Sequence, residues 1–372
     1  MQSSSLVLEA DGTLETRQLE IPSLSAGDVL LQIERVGICG SDVHMWQHDI
    51  GVDYPVVPGH EFVGTVIDMG SESVSDTAGQ PVDRGDAVTV VPGINCGECW
   101  YCQHMPTRPL TCANRDVHGF RSVTDPPYIH GGMGEYVLVE DRAMWYRLPE
   151  SIPIALGTLI EPLSVATHAI ERAMPPGLPN VREGFGLGRS VAIQGAGPIG
   201  LLTAATASAS GAGQIIVTDV REDRLAMAEQ FGATSTIDVS DQSDDEVVAA
   251  IADVSPSGDG PDVVIEAVGK PEAFEQALHI PHNGGTVIEV GHYFPAGDAT
   301  IDPSALVHRQ LDVYGSLAYP PSQFSTSISL LAATLDRFPY GDLLNYEVEL
   351  SEAVSAFEAQ ANGTSYRATI QP

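Results

Sequence analysis

Short apolar runs separated by Gly and Pro dominate the first third of the chain. Leu6-Val7-Leu8 and Val29-Leu30-Leu31-Gln32-Ile33 predict strands of a β-rich domain, and the pattern continues at 63–67 and 86–91. A cysteine-rich loop interrupts it, and 131–139 resumes it as a glycine turn leading into a strand. From Ile160 the period changes. Pro162 stands near a helix start and the apolar positions of 160–172 recur at helical spacing. Glu161 at that start faces the positive end of the helix, from which a carboxylate can point at a cation.

The middle of the chain reads as strand, glycine turn, helix and strand. Val191-Ala192-Ile193-Gln194 precedes Gly195-Ala196-Gly197-Pro198-Ile199-Gly200, a small-residue helix follows over 201–210, and 215–218 ends in Asp219. This is the βαβ unit of a dinucleotide-binding sheet: Gly195 makes the tight turn, Gly197 admits the pyrophosphate, and Gly200 lets helix and strand approach. The helix that starts at Pro198 and Ile199 offers the free N–H groups of its N-terminus to the phosphates, Pro198 itself having none. An acid 19 residues after Gly200 suits the ribose hydroxyls and repels a 2′-phosphate, which favours NAD over NADP, although Arg221 and Arg224 can soften that repulsion. Burial by a parallel sheet also explains why 190–217 carries no charge. Further βα units follow at 262–269 and 284–291, with Val268 and Val290 at strand ends, where such a sheet holds its ligand. The acidic segment 238–246 reads as solvated surface. After about 309 the pattern loosens and the chain is expected to return to the first domain.

A chain of 372 residues exceeds one ordinary core, so two domains are expected. Fifty acidic against seventeen basic residues give a net charge of −33, with Lys270 the single lysine. That field disfavours nucleic acid and anionic lipid as partners. The acids are dispersed rather than gathered in a tail, which points to work in concentrated salt, where the Debye length falls to roughly 3 Å at about 1 M. The N-terminus has no basic region before an apolar core, and 190–217 is too weakly apolar for a good membrane span. A cytoplasmic protein is the expectation.

Five cysteines, an odd number, argue against a disulfide framework. Cys96, Cys99 and Cys102 stand at intervals of three and Cys112 follows, so four thiolates can close a tetrahedral structural zinc with no position for water. Cys39 is then left for a different, open site. It lies in Gly37-Ile38-Cys39-Gly40-Ser41-Asp42-Val43-His44, and Gly59-His60-Glu61 follows some twenty residues on. Thiolate and imidazole are preferred zinc ligands, with a carboxylate as a third.

In this order the motifs 37–44, 59–61, the four-cysteine lobe, Glu161-Pro162-Leu163 and 195–200 resemble the zinc-dependent medium-chain dehydrogenases, which include alcohol, sorbitol, butanediol and threonine dehydrogenases. The resemblance runs over nearly the whole length. It implies an α/β protein: a GroES-like catalytic domain over 1–165, with the zinc lobe at about 93–115, completed by 309–372, around a Rossmann domain over 166–308. It implies that Cys39 and His60 bind the catalytic zinc, with either Glu61 or Glu161 as third protein ligand. Asp42 would orient His60 through its other ring nitrogen. Ser41 would pass a proton from the substrate hydroxyl, with His44 handing it on. Glu161 stands where simple alcohol dehydrogenases carry a second cysteine, as in the sorbitol and butanediol branch. The Cys102–Cys112 interval is two residues longer than is usual in the family, through 105–109, at little cost in closure entropy.

The expected activity is zinc-dependent hydride transfer between a secondary alcohol, in a polyol, diol or sugar, and NAD. A simple alcohol or threonine-type dehydrogenase is the nearer alternative. A zinc-free reductase and a non-catalytic nucleotide-binding protein of the same fold are the others. The family implies a homodimer or homotetramer. Trp46, Tyr54 and Tyr128 are candidates to line the pocket.

Overall fold

A computed structural model of the chain describes residues 1–105, 108–174 and 184–372. They divide into two compact units: Met1–Glu161 with Pro320–Leu335 and Tyr340–Pro372, and Pro162–Tyr319 with Asp336–Pro339.

The first unit is organised on the strand Val29–Gly37. It pairs antiparallel with Glu61–Met69, Tyr136–Val139 and Ala368–Gln371, in a sheet extended by Ala87–Val90, Trp145–Arg147 and Tyr346–Glu349. Val29, Leu31 and Ile33 are buried in one cluster and Leu30 in a second, while Gln32 is exposed, so the strand is apolar on both faces only at its start. Val36, Ile38, Phe62, Val88, Phe357 and Ile370 are buried in one cluster. The helix Ala353–Ala361 lies against the last strand and brings Phe357 edge-on to Trp46, with ring centroids 5.7 Å apart.

Register decides what meets at the end of the spine. Gly37 stands opposite Glu61 on one side and Thr369 on the other. Cys39, two residues beyond Gly37, therefore leaves the sheet beside Glu61 and beside the run into the last strand. The short helix Gly40–Trp46 starts there, with Cys39 as its N-cap.

The second unit is a parallel sheet in the order Ser235–Asp238, Gln214–Asp219, Ser190–Gln194, Val263–Glu266, Thr286–Glu289, Asp312–Gly315. The chain runs outwards from Ser190–Gln194 in one direction and then resumes on its other side with Val263–Glu266. That reversal opens a crevice at the carboxyl ends of those two strands. Helix Pro198–Ala209 packs against the sheet with Gly200 to Ala207 all buried, so the uncharged run 190–217 is a buried strand, helix and strand.

Two expectations shift. The return to the first unit falls at Pro320 rather than about 309, because Asp312–Gly315 adds a sixth strand to the parallel sheet. Its exposed edge position left no apolar run to read. The acidic segment 238–246 is exposed, but it also starts a helix, Asp244–Val254, whose capping box is Ser243 with Glu246.

Candidate functional site

In the first unit, the Cys39 Sγ, a His60 ring nitrogen and a Glu61 carboxylate oxygen lie within 4.8 Å of one another. Asp42 holds the two ligand-bearing turns together. Its Oδ2 accepts from the Cys39 N–H at 2.9 Å and its Oδ1 from the Gly59 N–H at 3.0 Å. The expected orienting contact to His60 Nδ1 is longer, 3.6 Å, so the carboxylate acts first on the backbone. Ser41 is buried, with Oγ 3.4 Å from His60 Nε2. His44, on the next turn of the helix, pairs through Nδ1 with Asp49 at 3.0 Å.

Sequence reasoning missed Arg367. It is buried, and its guanidinium donates to Glu61 Oε1 at 2.8 Å and to the Ile38 carbonyl at 3.2 Å. The available signal was a lone arginine leading into the apolar terminal strand. Glu161 is not among the three converging groups, but its charge acts on both Cys39 and Arg367.

The electrostatics suit a dication. Burial pushes the Glu61 carboxyl up to about 8, against the pull of Arg367. Burial opposes charge on His60, yet Asp42 and Cys39 raise it well above the ordinary imidazole value. Burial likewise pushes the Cys39 thiol up, and the hydrogen-bonded His60 overcomes this and brings it below the usual thiol range. Glu61 Oε2 and His60 Nδ1 are buried with no hydrogen-bond partner. A soft sulfur, an imidazole and a carboxylate oxygen within 4.8 Å of one another form a donor set that zinc fits.

The four remaining cysteines also converge within 4.8 Å. Cys96 and Cys112 sulfurs are 3.5 Å apart, those of Cys99 and Cys102 3.6 Å, and the Cys96 and Cys99 N–H groups point at sulfur. The set is closed, as a structural zinc requires. Of the lengthened interval, residues 106–107 lie outside the described residues. A third cluster, Asp116, His130 and Glu140, differs: Arg121 and Arg142 already neutralise its carboxylates.

In the second unit Gly195 takes φ +91°, and Gly197 caps the helix with Pro198 and Ile199 at its open end. A Cβ on Gly200 would lie 1.9 Å from the Gly195 carbonyl oxygen, whereas one on Gly197 meets nothing within 4 Å. Asp219 Oδ2 accepts from the Ala196 N–H at 2.7 Å and Oδ1 from the Arg221 N–H at 3.0 Å, so the acid also braces the glycine turn. Arg221 pairs with Asp223 at 2.6 Å, and Arg224 lies half-buried on the following helix. Val220, Val268, Tyr293 and Leu317, each just beyond a strand's carboxyl end, are between 44% and 61% exposed. Trp46 and Tyr54, by contrast, are committed to structure, donating to the Gly12 and Met45 carbonyls. Tyr128 sits at φ +61° and is half-buried.

Residues 25–150 match the alcohol dehydrogenase GroES-like domain and 198–333 the zinc-binding dehydrogenase domain. The chain is 33% identical to D-xylulose reductase A of Aspergillus niger, over 99% of this chain and 96% of that protein. It is 32% identical to the sorbitol dehydrogenase of Mus musculus, over 100% and 96%. The chain belongs to the zinc-dependent medium-chain dehydrogenases. A zinc-binding dehydrogenase from Sinorhizobium meliloti bound to NADP superposes with a TM-score of 0.86 at 30% identity, covering 100% of both chains. This member is therefore an alcohol dehydrogenase-type oxidoreductase of α/β fold, with zinc and a nicotinamide dinucleotide as cofactors.

Proposed function

We propose that this dehydrogenase oxidises a secondary alcohol of a polyol, diol or sugar, and reduces the corresponding ketone, using NAD in preference to NADP. The substrate class is supported by its similarity to xylulose reductase and sorbitol dehydrogenase. The observation that carries the reading is the convergence of Cys39, His60 and Glu61 within 4.8 Å. Zinc bound by these three supplies Lewis-acid polarisation of the alcohol or carbonyl oxygen, and the dinucleotide supplies the hydride acceptor.

The chain's own residues do the rest. Glu61 is the third ligand in this reading, and Glu161 adds negative charge facing Cys39. Ser41 Oγ takes the hydroxyl proton, and His44, paired with Asp49, relays it outwards. Cys96, Cys99, Cys102 and Cys112 hold the structural zinc. Gly195, Gly197, Pro198, Ile199 and Gly200 cradle the pyrophosphate, Val268 and Val290 flank the nicotinamide, and Arg224 lies near the adenosine end. Asp219, backed by the glycine turn, disfavours a 2′-phosphate, which supports the NAD preference. No helix among the described residues is long and apolar enough to cross a membrane, and the charge of −33 supports a cytoplasmic enzyme working in concentrated salt. The family supports assembly as a homodimer or homotetramer.

A panel of polyols and diols assayed with NAD and NADP in molar salt, with zinc content measured in parallel, tests this reading. Turnover with at least one polyol is expected, faster with NAD. Ser41→Ala is expected to lower kcat by about 10²–10⁴ while NADH affinity stays unchanged. Near-normal kcat in that variant removes Ser41 from the proton path.

A further inference from the structure

At the carboxyl edge of the parallel sheet two glutamates end neighbouring strands in register, Glu266 beside Glu289. Glu266 is fully buried. Its Oε1 accepts from the Val268 and Gly269 N–H groups at 2.7 and 2.9 Å, while its backbone carbonyl accepts from those of Val290 and Gly291, both at 3.1 Å. One residue thus ties down both turns. Glu289 Oε1 in turn accepts from the His292 N–H at 3.1 Å and faces its ring Nδ1 at 2.9 Å, and that nitrogen lies 3.8 Å from Glu266 Oε2.

The turns are packed against each other without slack. Gly269 takes φ +76°, and a Cβ on Gly291 would lie 2.3 Å from the Gly269 nitrogen and 2.4 Å from Glu266 Oε2. The remaining oxygens, Oε2 of Glu266 and of Glu289, are buried with no donor assigned to either. One carboxylate oxygen of each lies within 4.8 Å of the other, and two carboxylates this close, one of them fully buried, favour a single proton shared between them over two negative charges.

We propose that Glu266, Glu289 and His292 form a proton-sharing latch that fixes the turns 267–269 and 290–292 in the shape that receives the nicotinamide end of the dinucleotide. The latch rests on the dinucleotide-binding reading of this unit, and its members are positioning residues. Their side chains act on the backbone that faces the cofactor.

The direction of the pH response follows. Burial pushes the Glu266 carboxyl up to about 8, with Glu289 adding to the rise and the Gly269 and Val268 N–H groups opposing it. The titratable groups facing it are Glu289 on the neighbouring strand and His292 on the turn beyond. The strand on its other side offers the neutral Gln194, and the helix Pro271–Ala277 the neutral Gln276. The shared proton is present below that midpoint and lost above it. If only the latched form binds, affinity falls by the fraction unlatched, about ten-fold one pH unit above the midpoint.

NADH binding by the full-length protein, followed by fluorescence across neutral to alkaline pH in molar salt, tests the latch. Wild type is expected to weaken about ten-fold one unit above the midpoint. Glu289→Gln and Glu266→Gln replace the shared proton by a carboxamide N–H, so their affinity is expected to stay flat. Melting curves at neutral pH confirm that each variant is folded, and either one suffices. A flat wild-type profile, or variants that keep the wild-type slope, overturns the latch alone. Loss of a metal equivalent in Glu289→Gln relative to wild type assigns the pair to a metal cation and also overturns it. A wild-type chain that takes up neither NADH nor NADPH at any pH overturns the dinucleotide reading, and the latch's role with it.

Discussion

Arg367 and Glu61 are both nearly removed from solvent, at 4% and 0% side-chain exposure. A buried pair of this kind adds little over an apolar replacement, but removing one partner strands the other charge. Arg367→Met in metal-free protein is therefore expected to lower the denaturation midpoint, and to do so more above pH 8, where the Glu61 carboxyl ionises beside Arg367, than at neutral pH. The double variant with Glu61→Gln should cost less than the two single changes summed. Additive losses would show that the two side chains do not act as a pair. Cys39, His60 and Glu61 were legible as ligand types because thiol, imidazole and carboxylate carry their chemistry in the residue name. Arg367 was not, because it reaches Glu61 from 306 positions away.

Among the elements, the glycine turn separates two uses of the same residue. A side chain at Gly200 collides with the Gly195 carbonyl at 1.9 Å, whereas Gly197 has φ −73° and open space. Gly200→Ala is expected to lower stability by roughly 1–3 kcal/mol through overpacking. Gly197→Ala should leave the melting temperature unchanged and weaken NADH binding, since its methyl enters the open space proposed to receive the pyrophosphate. Calorimetry and NADH titration of both variants check this, and equal melting losses would deny the distinction. The turn, its helix and the acid after the next strand were all readable, because period and spacing are local. The edge strand Asp312–Gly315 was not, since its place comes from pairing with Thr286–Glu289 and not from its own composition.

For the whole molecule the dominant number is the charge of −33. Self-repulsion on this scale weakens as salt shortens the Debye length. The melting temperature is expected to rise with KCl towards molar concentrations, and dialysis into dilute buffer to lower both it and the activity. An unchanged melting temperature and full activity in dilute buffer would refute the proposed adaptation to salt.

The sequence by itself determined the donor types, the four-thiolate lobe, the βαβ unit and the sign of the surface field. Each is written in short spacings, a single period or a sum over residues. Tertiary structure alone decided that Glu61 joins Cys39 and His60, that Arg367 backs it, and that Glu266 meets Glu289 and His292. Those meetings are set by sheet register between separate segments. Hydrogen bonds and packing summed over whole strands impose that register, and they leave no mark on the few residues they bring together.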